Sequence, residues 1–147
     1  MNFLKLFTVF SLLIVFSACS KDEKSVIGSW EAVSVVTSNC DDPDDNSSLN
    51  FTNGCFTEGV AGFEISICIS LTLTDKNFTL QNVTKFLGET ETETLTGTYK
   101  ISGNDITFDS VDGSVVKGTT NSAKTEMTVV DEDDADGCVS MIKFKKK

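Results

Sequence analysis

Leu95-Thr96-Gly97-Thr98-Tyr99-Lys100-Ile101 is followed at once by Ser102-Gly103-Asn104-Asp105 and then by Ile106-Thr107-Phe108. In the first run an apolar residue or glycine stands at every second position with hydroxyl or charged residues between, which is the period of a half-buried strand. The middle four are the residue types that a tight turn needs for positive φ and for local side-chain hydrogen bonds. The chain therefore doubles back, and the two runs pair as an antiparallel hairpin.

The same pattern recurs on both sides of this hairpin. Cys68 to Thr74 places Ile69, Leu71 and Leu73 on one face, Asn77 to Val83 places Phe78 and Leu80 there, and Val115-Val116-Lys117, Met127 with Val129, and Ile142 with Phe144 mark the later strands. A first strand over Ser29 to Asn39 carries apolar residues on both faces, as a strand covered on both sides would. Thr74-Asp75-Lys76-Asn77, Asp112-Gly113 and Asn121-Ser122-Ala123-Lys124 supply the remaining short turns. Eight strands in a meander with no helical period predict an all-β fold, an eight-stranded antiparallel up-and-down barrel whose closure removes the sheet's two open edges. Two long connections, Cys40 to Ile67 and Thr84 to Glu93, interrupt the rhythm.

Gly28-Ser29-Trp30 at the start of the first strand resembles the G-x-W motif of lipocalins, in which the Trp packs across the closed end of the barrel. Gly97-Thr98-Tyr99 followed by Ser102-Gly103-Asn104-Asp105-Ile106 is similar to the G-T-Y…G-N-x-I hairpin of the lipocalin-like domain lipoproteins of the Bacteroidetes type. With the strand count, the resemblance spans about Val26 to Phe144. The chain departs from the secreted animal lipocalins in lacking an arginine near the end of the last strand and a second T-D-x-Y block, so the resemblance implies their architecture and not their ligands.

The N-terminus reads as an address. Met1 to Ala18 carries Lys5 and an apolar run from Leu6 to Val15 that ends in Phe16-Ser17-Ala18-Cys19, a secretory signal too short to span a bilayer. Small residues before a cysteine resemble the lipobox of bacterial lipoproteins, with Phe16 in place of the usual Leu. That resemblance implies cleavage before Cys19 and acylation of its sulfur and amine, as by palmitate. Each buried methylene contributes about 0.8 kcal/mol, so several chains on one residue anchor a domain firmly. Ser20-Lys21-Asp22-Glu23-Lys24 resembles the Bacteroidetes signal for export to the outer face of the outer membrane. The expected organisation is a signal peptide over 1–18, a lipidated tether over 19–25 and one barrel domain over 26–147. The expected location is the outer membrane, with the barrel a monomer on one face or the other.

Composition removes several functions. The chain has no histidine, all 12 of its basic residues are lysines, and its net charge is -10. Ser-His-Asp and Cys-His catalysis, imidazole metal sites and arginine clamps are therefore excluded, and nucleic-acid phosphates would be repelled. Acid pairs for glycoside hydrolysis are available among Asp41 to Asp45 and Asp131 to Asp136, but in solvated loops that do not raise a carboxyl pKa, so no enzyme activity is expected. Cys40, Cys55, Cys68 and Cys138 form no C-x-x-C pair, and in an exported chain four cysteines read as two disulfides. The meander brings Cys40, Cys68 and Cys138 to one end, so Cys40–Cys68 and Cys40–Cys138 are both open, with Cys55 taking the remaining partner and the first long loop pinned over the mouth.

That end also gathers acid: Asp41, Asp42, Asp44, Asp45, Glu58, Glu89, Glu91, Glu93, Asp112 and Asp131 to Asp136. Lys76, Lys124, Lys143 and Lys145 to Lys147 are assigned to the opposite end, where each would add about 1 kcal/mol near an anionic leaflet. Asp42, Asp44 and Asn46, and Asp134 with Asp136, have the alternating oxygens of a calcium loop, yet both lack the closing bidentate Glu. No cofactor is expected beyond this weak calcium candidate. Asp109-Ser110-Val111 resembles a Bacteroidetes O-glycosylation acceptor, a three-residue signal on a turn.

The remaining candidate site is the interior, with Trp30, Leu71, Phe78, Leu80, Tyr99, Phe108 and Met127 as its lining. A barrel of eight strands holds either a packed core or one small hydrophobic ligand, and the pattern fits both. The function expected is a membrane-anchored lipocalin-like lipoprotein that binds such a ligand. The alternative is a surface interaction or structural module whose acidic loops, with or without calcium, contact a protein or glycan.

Overall fold

The alternation read in the sequence continues farther along each strand than its apolar residues do. In the computed structural model, which describes residues 25–132 and 137–147, the strands are β1 (Gly28–Ser38), β2 (Ser47–Asn50), β3 (Cys55–Val60), β4 (Phe63–Leu73) and β5 (Asn77–Phe86). They continue with β6 (Glu89–Ser102), β7 (Asp105–Ser110), β8 (Val115–Thr120), β9 (Glu126–Glu132) and β10 (Val139–Lys146). All pairings are antiparallel, and β1, β4 to β10 form a closed eight-stranded barrel, sealed where Gly28 to Glu31 of β1 pair with Leu73 to Ser70 of β4. The expected signal peptide, the acylated Cys19 and the tether residues before Ser25 lie outside the described residues.

The two long connections are mostly strand. Between β5 and β6 the sheet ladder runs up to Phe86 opposite Glu89, leaving Leu87 and Gly88, both at positive φ, as the turn. Thr and Glu at alternate positions carry no apolar signal, although Thr suits a pleated surface well. The Cys40 to Ile67 stretch contains a 3-10 turn (Pro43–Asp45), β2, β3 and the first half of β4. Above Trp30, β1 and β4 separate, and the β2–β3 hairpin wedges into the gap. Its arm β2 pairs with β1 (Ser34 to Thr37), and its arm β3 pairs with β4 from Cys55 opposite Cys68 to Val60 opposite Phe63. The wedge tip is fixed by backbone hydrogen bonds from Phe51 N to Val33 O (2.9 Å) and from Ile69 N to Gly54 O (2.9 Å).

The first strand is not covered on both sides. A β-bulge between Ala32 and Ser34 shifts its phase, so Trp30 and Ala32 face inward below it, Val35 opposite Ile142 faces inward above it, and Val33 is left exposed. One extra residue thus accounts for the apolar side chains on both faces.

The lower half of the barrel is solid. Val26, Trp30, Leu73, Ile106 and Met127 are fully buried there, with Phe144 against them. Trp30 Nε1 donates to Val26 O (3.0 Å), placing the incoming chain beneath the ring. Tyr99 donates its hydroxyl to Thr74 O (2.7 Å), tying β6 to the β4–β5 turn. Gly97 sits opposite Phe78 and Ser110, and a Cβ there would overlap the Asp109 carbonyl oxygen and the Phe78 ring, so only glycine admits the ring this close to the backbone.

Lys124 stands at the Trp30 end of the barrel, but its amine does not face outward. Its side chain is buried, and its Nζ donates to Gly103 O, Asn104 Oδ1 (3.0 Å) and Thr120 Oγ1 (3.0 Å), locking the β6–β7 turn to the β8–β9 turn. Lys146 Nζ donates to Ser25 O (2.6 Å) and lies 5.7 Å from the Trp30 ring centroid, while Lys147 pairs with Glu31 (3.5 Å). Lys143, exposed beside the bulge opposite Ser34, stands on the wall. We expect Lys124→Met to cost about 2–3 kcal/mol, because it leaves acceptors of a charged donor unpaired at a buried turn. Chemical denaturation of the variant checks this, and an unchanged midpoint would show that the amine is dispensable.

Candidate functional site

Above the solid floor the barrel contains a cavity of about 90 Å³, lined by Leu71, Phe78, Leu80, Leu95, Phe108, Ser110, Val116, Val129, Asp131, Ile142 and Phe144. Its apolar walls follow from the register: Leu80 is opposite both Leu71 and Leu95, Phe108 is opposite Val116 and Tyr99, and Val129 is opposite Ile142. Phe78 and Phe108 meet edge to face with centroids 5.1 Å apart and form the lower boundary. One rung higher, an open space of about 410 Å³ is lined by Ile69, Leu80, Asn82, Glu93, Thr94, Leu95 and Ile142. Sharing Leu80, Leu95 and Ile142 as wall residues, the two adjoining spaces make up the passage above the aromatic floor.

Of the expected lining residues, Leu71, Phe78, Leu80 and Phe108 face the cavity. Trp30, Tyr99 and Met127 lie in the packed floor below it, where the lower ring is filled by large side chains.

The polar residues of the site were not evident from apolar periodicity. Ser110 is two positions past Phe108 on β7 and so faces inward, 8 % exposed, with its hydroxyl buried and without a hydrogen-bond partner. Asn82 is two positions past Leu80, and its buried Oδ1 also lacks a partner, while its Nδ2 donates to Glu93 Oε2 across the ladder (3.4 Å). The signal that finds both is the period of two carried past the last apolar residue.

Ser110 is not on a turn. It ends β7 and points into the barrel, so its hydroxyl is not presented to a glycosylating enzyme by the folded domain. The turn follows it, and there Asp112 accepts from the Ser114 backbone N–H (2.9 Å) and hydroxyl (2.7 Å), which hold its carboxyl below the ordinary aspartate range.

The calcium candidates have other work in the described part of the rim. Asp42 Oδ1 caps the 3-10 turn by accepting from Asp44 N (3.0 Å), and Asn46 Oδ1 accepts from Cys40 N (3.4 Å). Asp134 and Asp136 lie outside the described residues, and among those described no group of three or more Cys, Asp or Glu is arranged to hold a metal ion.

The disulfides are Cys40–Cys138 and Cys55–Cys68. The first joins the top of β1 to the start of β10, and the second crosses β3 and β4 at directly opposed positions. Both staple neighbouring strands, so the first long connection is held as sheet along the wall and is not a lid across the mouth.

No helix among the described residues is long and apolar enough to cross a membrane. Compared with known proteins, the chain matches no protein-family model and no curated protein.

Proposed function

We propose that this chain is a lipid-anchored, lipocalin-like binding protein that holds a small hydrophobic ligand in the upper half of its barrel. The observation that carries the reading is the pair of adjoining spaces above Phe78 and Phe108, walled mainly by apolar side chains over a filled floor. A barrel that needed only stability would fill this space, since each buried void costs contacts. The resemblance of Gly28-Ser29-Trp30 and of the Gly97 to Ile106 hairpin to lipocalin-like lipoproteins supports the same reading, and Ser17-Ala18-Cys19 supplies the anchor.

Two measurements test it. A neutral environment-sensitive probe, N-phenyl-1-naphthylamine, should bind saturably at one per chain and lose that binding in Leu95→Trp, which fills the passage. Binding that is absent, or indifferent to that substitution, would overturn the ligand reading. Cys19→Ser should move the protein out of the membrane fraction, and retention there would overturn the anchor.

A second reading, contact with a protein or glycan through the rim, draws on one observation. The β3–β4 and β5–β6 hairpins rise above the closed ring and expose Val60, Phe63, Phe86 and Leu87 at their tips beside Glu58, Glu64 and Glu89.

A further inference from the structure

We infer that the interior site selects an amphiphile with a positively charged, hydrogen-bond-donating head, an alkylamine-like molecule, over a fatty acid or another anion. The inference rests on the proposed reading of the passage as a ligand site and names the class of ligand.

Among the described residues, the charged groups that line the passage are the carboxylates of two exposed side chains. Glu93 lines its upper part from β6, and Asp131 lines it from β9, which stands on the far side of the ring, three strands on from β6 and four from β5. Opposite Glu93 on β5, Asn82 has a buried, unpartnered Oδ1, and its Nδ2 is already engaged by Glu93. Below, the buried Ser110 hydroxyl has no partner either, and it can accept as readily as donate.

Among the described residues, no lysine lines either space. Lys85, Lys100, Lys117, Lys143 and Lys145 occupy outward register positions and are exposed, and the amines of Lys124 and Lys146 are committed to carbonyl oxygens at the floor. An entering carboxylate would meet two like charges at solvent-exposed positions and a buried amide oxygen, and like charges repel. An ammonium would meet acceptors along the same walls while its chain lay against Leu80, Leu95, Phe78 and Phe108. Hydrogen bonds to a charged group are strong enough to give about a tenfold preference or more.

The test uses the exported chain carrying Cys19→Ser, so that no acyl chain competes. Octylamine, octanol and octanoate share a chain length and differ in the head; each is titrated against bound N-phenyl-1-naphthylamine at neutral pH. Octylamine should displace the probe at about one tenth the octanol concentration, with octanoate weaker than octanol, and added salt should narrow the gap. Glu93→Gln combined with Asp131→Asn should bring octylamine to the octanol level in the same variant, with circular dichroism confirming the fold. Octanoate binding as tightly as octylamine, or a preference that survives the double substitution, overturns the inference and leaves the ligand reading standing. Failure of the probe and of all three compounds to bind overturns both.

Discussion

Trp30→Ala should lower stability by about 3–5 kcal/mol, the range for emptying a large buried aromatic site, out of a total that for domains of this size is about 5–15 kcal/mol. The ring is fully buried, stands opposite Leu71 at the only seam where β1 meets β4, and carries the Lys146 amine over its face. Its loss also leaves the Val26 carbonyl without the indole N–H. Trp30→Phe separates the two contributions: it keeps most of the apolar volume and should cost about 1–3 kcal/mol for the unpaired carbonyl. Because this is the single tryptophan, unfolding in urea is followed by far-UV circular dichroism. A Trp30→Ala midpoint within error of the parent would show that the seam does not depend on the ring.

Removing the Cys40–Cys138 bridge as a double Ser variant should cost more than removing Cys55–Cys68. In the chain-entropy account the cost grows with the loop that is closed. Separations of 98 and 13 residues then correspond to about 5 and about 3 kcal/mol. The two variants unfolded side by side under non-reducing conditions give the comparison. Equal losses, or a larger loss for the short bridge, would mean that native packing at the β3–β4 pair outweighs the constraint on the unfolded chain.

Much of the barrel was legible because its inner face is apolar at a strict period of two. Ile69, Leu71, Leu73, Phe78, Leu80, Ile106 and Phe108 mark their strands and faces without ambiguity, and the turns between them carry residues suited to hairpins. Where strands rise beyond the closed ring, that signal stops. Glu89 to Thr94 alternates acid with threonine, and Cys55 to Val60 mixes small, polar and apolar residues, so both read as connections although both are strand. The bulge at Val33 hid for the opposite reason: apolar residues on both sides of one extra position mimic a strand buried on both faces.

The site was half visible on the same grounds. Periodicity marks the apolar lining, but it does not say at which height the interior changes from filled to open, because that depends on how Trp30, Tyr99 and Met127 fill the lower ring together. It also passes over Ser110, Asn82 and Glu93, which share the lining's phase and not its chemistry. Cysteine spacing left the disulfide pairing open; strand register chose it, by setting Cys55 directly opposite Cys68.

The divergence of β1 from β4 above Trp30 has an evolutionary consequence. Folding is secured by the lower ring, where Trp30, Leu73, Ile106 and Met127 leave little room for change. The exposed tips of the parted upper walls answer to fewer packing constraints. Substitutions can therefore accumulate at Glu58, Val60 and Glu89 to Thr94 with small effect on whether the chain folds, so descendants of one such scaffold can diverge at the rim while keeping the same base.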